Sequence, residues 1–342
     1  MSTVTAELDE AIDTGTTLKP PRILTGDRPT GPLHLGHYFG TLRNRVRLQE
    51  QGADLLVLIA DYQVLTDRDT ADHLREYVYG QVLDYLAIGI DPARATIFAH
   101  SAVPALNQLL LPFLSLVSVP ELNRNPTVKD EIAHSRQSSV SGLMFSYPAH
   151  QAADILSCKA NLVPVGQDQL PHVEITRLIA RRFNQRYGPV FPVPEAMLSE
   201  APLLLGTDGG KMSKSRGNAI ALSDTADQTA RQIRGAKTDA DPEISYDPQR
   251  RPEVSNLVLL AALCLDRDPH QVAAGIRGGA RALKDTVTAA VNEAFAPIRA
   301  RRAEYAADLG FVRAVLRQGS ERANDLATDT LTEVRSAMGM SY

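Results

Sequence analysis

Six consecutive residues, Leu55-Leu56-Val57-Leu58-Ile59-Ala60, are apolar without interruption. A strand with one wet face would alternate, so an unbroken run of this length suits a parallel strand buried on both faces. Its surroundings point the same way. Arg22-Ile23-Leu24-Thr25 reads as a short strand, Gly26 to Pro32 as a turn-rich loop, and about Leu35 to Gln51 as a helix. After the run, Asp72 to Ile88 reads as a second helix ended at Gly89, and Thr96-Ile97-Phe98-Ala99 as a third strand. This alternation is the pattern of a doubly wound parallel α/β sheet. Leu162-Val163-Pro164-Val165 adds a strand among helices that run to about Asn184.

The expected organisation follows. Residues 1–20 are polar, non-periodic and rich in Thr and acidic side chains, as expected of a disordered tail. Residues 21–205 form a Rossmann-like α/β domain, and residues 206–222 a mobile glycine- and lysine-rich loop. Residues 223–342 are all-helical, with their last helices expected to pack back on the α/β domain. Tyr187 to Glu195, with Gly188, Pro189, Pro192 and Pro194, reads as the start of a domain seam. The formal net charge of −4 gives no global basic field, so a nucleic acid would have to bind a local patch. Cys158 and Cys264 make no Cys-x-x-Cys or Cys/His cluster, which argues against a zinc site or disulfide framework. No apolar run reaches membrane-spanning length and no leader pattern opens the chain, so the expectation is a soluble, cytoplasmic protein.

Two loops carry chemistry. Thr25-Gly26-Asp27-Arg28-Pro29-Thr30-Gly31-Pro32-Leu33-His34-Leu35-Gly36-His37 links a strand to a helix start. Free N–H groups and the positive dipole end there attract an anion. His34 and His37, three residues apart, fit one helical turn and can donate to phosphate oxygens, while Gly36 leaves room for an adenine ring. This is neither a GxGxxG nor a P-loop pattern. The second loop, Gly209-Gly210-Lys211-Met212-Ser213-Lys214-Ser215, sets two lysines on a glycine hinge. Mobile ammonium groups suit a triphosphate whose leaving pyrophosphate gains charge in the transition state. Met212 would anchor the loop on an apolar patch. Taken singly, the first loop also reads as a plain helix cap and the second as a solvated surface loop.

As a pair, about 175 residues apart, the loops resemble the HIGH and KMSKS signatures of class I aminoacyl-tRNA synthetases. Further stretches narrow the likeness to bacterial tryptophanyl-tRNA synthetases, in a divergent or auxiliary form. Val163-Pro164-Val165-Gly166-Gln167-Asp168-Gln169, with His172, Glu174 and Arg181-Arg182-Phe183-Asn184, is similar to that family's VPVGxDQ motif. Tyr147-Pro148-Ala149-His150-Gln151-Ala152-Ala153-Asp154-Ile155-Leu156 is similar to its YPxxxAADIL helix. The resemblance spans about Arg22 to Met338. It implies ATP and L-tryptophan as substrates, Mg²⁺ held mostly by ATP rather than by dedicated protein ligands, tRNA(Trp) as partner and a homodimer without membrane attachment.

The resemblance also implies residue roles. His34, His37, Lys211, Lys214 and Ser215 would act in catalysis. Gly26, Arg28, Thr30, Gly36, His37, Asp168, Met212 and Ser213 would line the ATP site. Leu24, Tyr147, Gln151, Asp154, Val163, Val165 and Gln169 would hold tryptophan, with Asp154 accepting the indole N–H, the one polar group of that ring. Asp154 could otherwise be a helix cap or an ion-pair partner, and Val163 and Val165 plain strand core. The helical region would read the anticodon, with Arg231, Arg234 and Lys237 either near phosphates or on a solvated face. Two departures bear on substrate fit and inhibitor response: Arg28 where relatives often carry Gln, and Leu24 where they often carry Phe. Rival readings are a tyrosyl enzyme of the same class, a nucleotidylyltransferase, and a synthetase-like paralogue with a binding or regulatory role.

Overall fold

β1 (Arg22–Asp27), β2 (Asp54–Ile59), β3 (Ala95–Ala99), β4 (Leu162–Val165) and β5 (Glu195–Leu198) form one sheet in the order β3-β2-β1-β4-β5. Every neighbouring pair is parallel. The computed structural model describes residues 20–66, 72–126, 129, 141–198, 203–213 and 216–342. The expected tail falls almost wholly outside these, and so do Lys214 and Ser215. The chain winds from β1 through β2 to β3, then returns to the other side of β1 for β4 and β5. The strand order therefore reverses between β1 and β4, and a ligand crevice is expected at their carboxyl ends.

The apolar run divides between two cores. Leu55, Val57 and Ile59 join a cluster with Val82, Leu86, Val258, Leu283 and Val287. Leu56, Leu58 and Ala60 face a second cluster with Leu106, Phe113, Ile155 and Phe183. Helices thus cover both faces of β2, the physical reason its sequence does not alternate. β1 behaves likewise, with Ile23 in the first cluster and Leu24 in the second. At its end Gly26 pairs with Leu58, where an added Cβ would lie 2.4 Å from the Leu58 carbonyl oxygen, so only glycine fits.

Three details depart from the sequence reading. The first helix is not uniform: Leu35–His37 passes through a π-helical turn, Tyr38–Leu42, before Arg43–Glu50 resumes as α-helix. Such turns widen a helix where a site needs it. The proline-rich stretch ending at Glu195 does not close the sheet, because Glu195–Leu198 pairs with β4 over four residues. An edge strand this short, flanked by prolines, carries little pattern. The last two helices, read from the sequence as about Val287 to Tyr305 and Glu321 to Met338, run over Gly279–Ala307 and Leu309–Ala337. Gly319 of the last helix lies so close to β3 that an added Cβ would strike the Ile97 backbone, and Arg302 pairs with buried Asp84 at 2.6 Å. No helix among the described residues is long and apolar enough to cross a membrane.

Candidate active site

The two signature loops meet at the carboxyl end of β1. The Leu35 N–H donates to the Ile220 carbonyl at 3.0 Å, and the Leu222 N–H to the Leu33 carbonyl at 2.8 Å. His34 and Ala221 form an antiparallel bridge. Met212 is buried in the first core cluster, and a Cβ at Gly36 would come 3.3 Å from its sulfur. The segment after the lysine loop is therefore stitched to the histidine segment by backbone, and the methionine sits against the glycine between the histidines.

His34 and His37 lie with ring centroids 3.7 Å apart. The His34 N–H donates to His37 Nδ1 at 3.2 Å. In the neutral ring this places the His37 proton on Nε2, a donor suited to a phosphate oxygen. Beneath them runs a buried network. Arg45 pairs with Asp27 at 2.6 Å and the Tyr85 hydroxyl donates to the same carboxylate oxygen at 2.7 Å. Burial alone would raise the Asp27 pKa. The Arg45 charge and hydrogen bond, helped by His37 and Tyr85, reverse this and hold the carboxyl well below the usual range. The network pins the first residue after Gly26, and with it the loop. Arg28 is exposed and Thr30 half-buried on that loop, where the Arg28 carbonyl accepts from the Gln81 amide at 3.0 Å.

Asn218, 3% exposed, organises the lysine loop. Its carboxamide oxygen accepts from the Ser213 N–H at 2.8 Å, and its amide donates to Asp208 at 2.7 Å and to the Lys211 carbonyl at 3.1 Å. Asn256 clamps the approach by bonding both the N–H and the carbonyl of Leu205. Lys211 is exposed and Ser213 half-buried.

The residues expected around an amino acid converge from three elements. Leu24 of β1 and Val163 and Val165 of β4 are buried in the second core cluster. The Gly142–Ser157 helix, capped by the Ser141 hydroxyl, contributes Tyr147, Gln151 and Asp154. Asp154 is 1% exposed and lies inside this helix, so it is not a helix cap. One of its oxygens stands 3.2 Å from His100 Nδ1, and the other has no hydrogen-bond partner. An unsatisfied buried carboxylate oxygen is costly and calls for a donor. The Tyr147 hydroxyl bonds His172 Nε2 at 2.6 Å, and His172 Nδ1 meets the Asn125 amide at 3.3 Å. Burial lowers the His172 pKa to about 4, against the opposing charge of Asp168. After β4, Asp168 is exposed and Gln169 half-buried, with the Gln169 amide donating to Asp168 at 3.3 Å.

His100, His150 and Asp154 bring donor atoms within 4.8 Å of one another. Two imidazoles and one carboxylate do not suit Mg²⁺, which prefers an octahedral oxygen shell. Both rings also already hold hydrogen bonds. A separate hollow of about 430 Å³ opens in the helical region between Tyr246, His270 and Arg277, away from all of these residues.

His100, Asp61, Asn218, Arg45 and Tyr85 carry no motif by which sequence alone marks them, and His172 and Asp27, though inside the quoted motifs, are given no role there. One weak signal existed for His100: a polar residue at the carboxyl end of a parallel strand stands where such folds place ligands.

A family model described as tRNA synthetases class I (W and Y) matches residues 16–296. A tryptophan–tRNA ligase of Treponema pallidum is 43% identical over 331 residues, covering 94% of this chain and 97% of that protein. One from Streptococcus pyogenes serotype M3 is 44% identical over 337 residues, covering 94% and 99%. The crystal structure of tryptophanyl-tRNA synthetase from Campylobacter jejuni, complexed with ADP and tryptophan, superposes with a TM-score of 0.82 at 30% identity, covering 93% of this chain and 99% of that one.

Proposed function

The chain belongs to the class I tRNA synthetases of the tryptophan and tyrosine family, and on that premise we propose that it is a tryptophan–tRNA ligase. It activates L-tryptophan with ATP and transfers the product to tRNA(Trp). The observation that carries the choice of amino acid is the open oxygen of buried Asp154, set beside an apolar cluster containing Leu24, Val163 and Val165. An indole offers one donor and no acceptor, which this arrangement matches. The similarity to ligases that bear the tryptophan name, over nearly the whole chain, supports the same choice.

In the first step a tryptophan carboxylate oxygen attacks the α-phosphorus of ATP. A new P–O bond forms, the bond to the bridging oxygen breaks, and pyrophosphate leaves with its electron pair. The carboxylate is already ionised at neutral pH, so no general base is required. Positioning and charge stabilisation carry the catalysis. His34, His37, Lys211, Lys214 and Ser215 are the proposed catalytic residues, the histidines and lysines by stabilising charge on the phosphates. Gly26, Arg28, Thr30, Gly36, Asp168, Met212 and Ser213 line the nucleotide's place. Tyr147, Gln151 and Gln169 hold the ammonium and carboxylate of the amino acid. Mg²⁺ enters with ATP as part of the substrate and supplies positive charge to the phosphate oxygens. In the second step a ribose hydroxyl of the tRNA's terminal adenosine attacks the mixed anhydride. An ester forms, AMP leaves, and the hydroxyl proton passes to the departing phosphate.

The helical region after residue 223 is the proposed anticodon-reading part. Of the three cations read as either phosphate contacts or a solvated face, Lys237 is paired with Glu253 at 2.7 Å, while Arg231 and Arg234 are exposed. A second copy of the chain completes the working enzyme, so sedimentation should give twice the 37.2 kDa chain mass; sedimentation as a monomer at working concentration would count against this. The function is tested by charging tRNA with each amino acid in turn. Tryptophan on tRNA(Trp) is expected, and charging with tyrosine instead would support the rival synthetase.

A further inference from the structure

We infer that His100 is a positioning residue for amino-acid selection: its Nδ1–H holds one oxygen of Asp154 so that the other is presented to the indole N–H. The inference rests on the reading of Asp154 given above and adds to it the group that orients the carboxylate.

Hydrogen bonding fixes the state of the ring. The Tyr62 N–H lies 2.7 Å from His100 Nε2 and donates to it. A proton on Nε2 would oppose that donor, so the neutral ring carries its proton on Nδ1. In the imidazolium Nδ1 is protonated as well. In either charge state Nδ1 therefore donates to the Asp154 oxygen 3.2 Å away. Asp61 stands 3.3 Å from Nε2, but that oxygen accepts the Ser101 N–H at 3.0 Å and shares the Tyr62 N–H with Nε2, which is the nearer acceptor, 2.7 Å against 3.1 Å. It thus orders the loops at the ends of β2 and β3 that carry Tyr62 and His100. His100 is wholly buried, which leaves the ring no solvent alternative.

His150 closes the other side. The Asn107 amide donates to the His100 and Val103 carbonyls, so its carboxamide oxygen is an acceptor and takes the His150 Nε2 proton at 2.8 Å. Burial lowers the His150 pKa, against the charge of Asp154. The ring is thus neutral and makes no ion pair that would draw the carboxylate away from His100. Asp154 keeps one engaged oxygen and one open oxygen, a fixed acceptor for a single donor. A site built around one hydrogen bond rejects an analogue lacking the donor, because the acceptor would stay buried and unpaired.

The test uses the full-length enzyme in amino-acid-dependent ATP–pyrophosphate exchange. Tryptophan is compared with β-(3-benzothienyl)-L-alanine, in which sulfur replaces the ring N–H. His100→Leu should reduce the preference for tryptophan about tenfold or more, the scale of one charge-assisted hydrogen bond. The loss should appear in the KM for tryptophan, with kcat and the KM for ATP little changed. His100→Gln, which keeps one donor and one acceptor on a planar group, should recover most of the preference. Nitrogen-15 NMR of histidine-labelled wild-type enzyme should show a buried ring protonated at Nδ1, its signal absent from His100→Gln; this reading does not need the leucine variant to fold. If Asp154→Ala loses the preference while His100→Leu keeps it, the role of His100 is overturned and Asp154 stands. If Asp154→Ala keeps it, the indole assignment itself fails. A neutral ring protonated only at Nε2 also overturns the inference.

Discussion

His172 shows how a single residue ties the pocket to pH. Its ring is wholly buried, bonded to Tyr147 and Asn125, and burial takes its pKa from 6.5 to about 4. Below pH 6.5 the unfolded chain takes up a proton that the folded ring refuses, so the unfolded state binds more protons. Stability therefore falls as pH drops from 6.5 to about 4 and levels off below that, by roughly 3 kcal/mol in all. His172→Gln should flatten this limb when urea midpoints are followed from pH 7 to pH 4; parallel curves for the two proteins would contradict the assignment. Lys211 makes the complementary case in catalysis. Lys211→Ala should lower the rate of adenylate formation by about tenfold or more while tryptophan affinity stays near its wild-type value. Equal losses in both would argue against a transition-state role.

Between elements, the Asp27–Arg45–Tyr85 network joins the end of β1, the Arg43–Glu50 helix and the Leu74–Ile88 helix beneath the histidine loop. Arg45 is 2% exposed, so removing its charge leaves a buried carboxylate without its cation. Arg45→Met should cost about 3–5 kcal/mol in equilibrium unfolding, and Arg45→Met with Asp27→Leu should regain part of that loss. A cost below about 1 kcal/mol would show that the network does not hold the loop. Much at this scale was legible in the sequence. The unbroken β2 run announced a strand covered on both faces, and the glycine-rich stretch after β1 announced a turn leading into a helix, where the anion site is proposed. β5 was not legible, because four residues between prolines have no periodicity to read. Nor were His100 and Asp154 legible as a pair. They lie 54 positions apart, and only the parallel sheet brings them together. The same holds for Asn218, whose meaning depends on a turn that closes over Asp208 and Lys211.

Over the whole molecule, the carboxyl ends of the strands gather segments spread along most of the chain. The histidine loop follows β1, Tyr62 and His100 follow β2 and β3, Asp168 follows β4, and the lysine loop returns through the bridge between His34 and Ala221. The helical region is fastened to the same sheet, through Gly319 against Ile97 and Arg302 on Asp84. Movement of these helices would therefore be felt at β3 and the loop that carries His100. Convergence of the two signature loops on one triphosphate, beside a pocket cut for indole, is the claim on which the function depends. The most direct measurement is the exchange of labelled pyrophosphate into ATP by the wild-type enzyme, with each amino acid offered alone. Exchange that requires tryptophan and exceeds that with tyrosine by several orders of magnitude is expected; no exchange with tryptophan, or a preference for tyrosine, would contradict it.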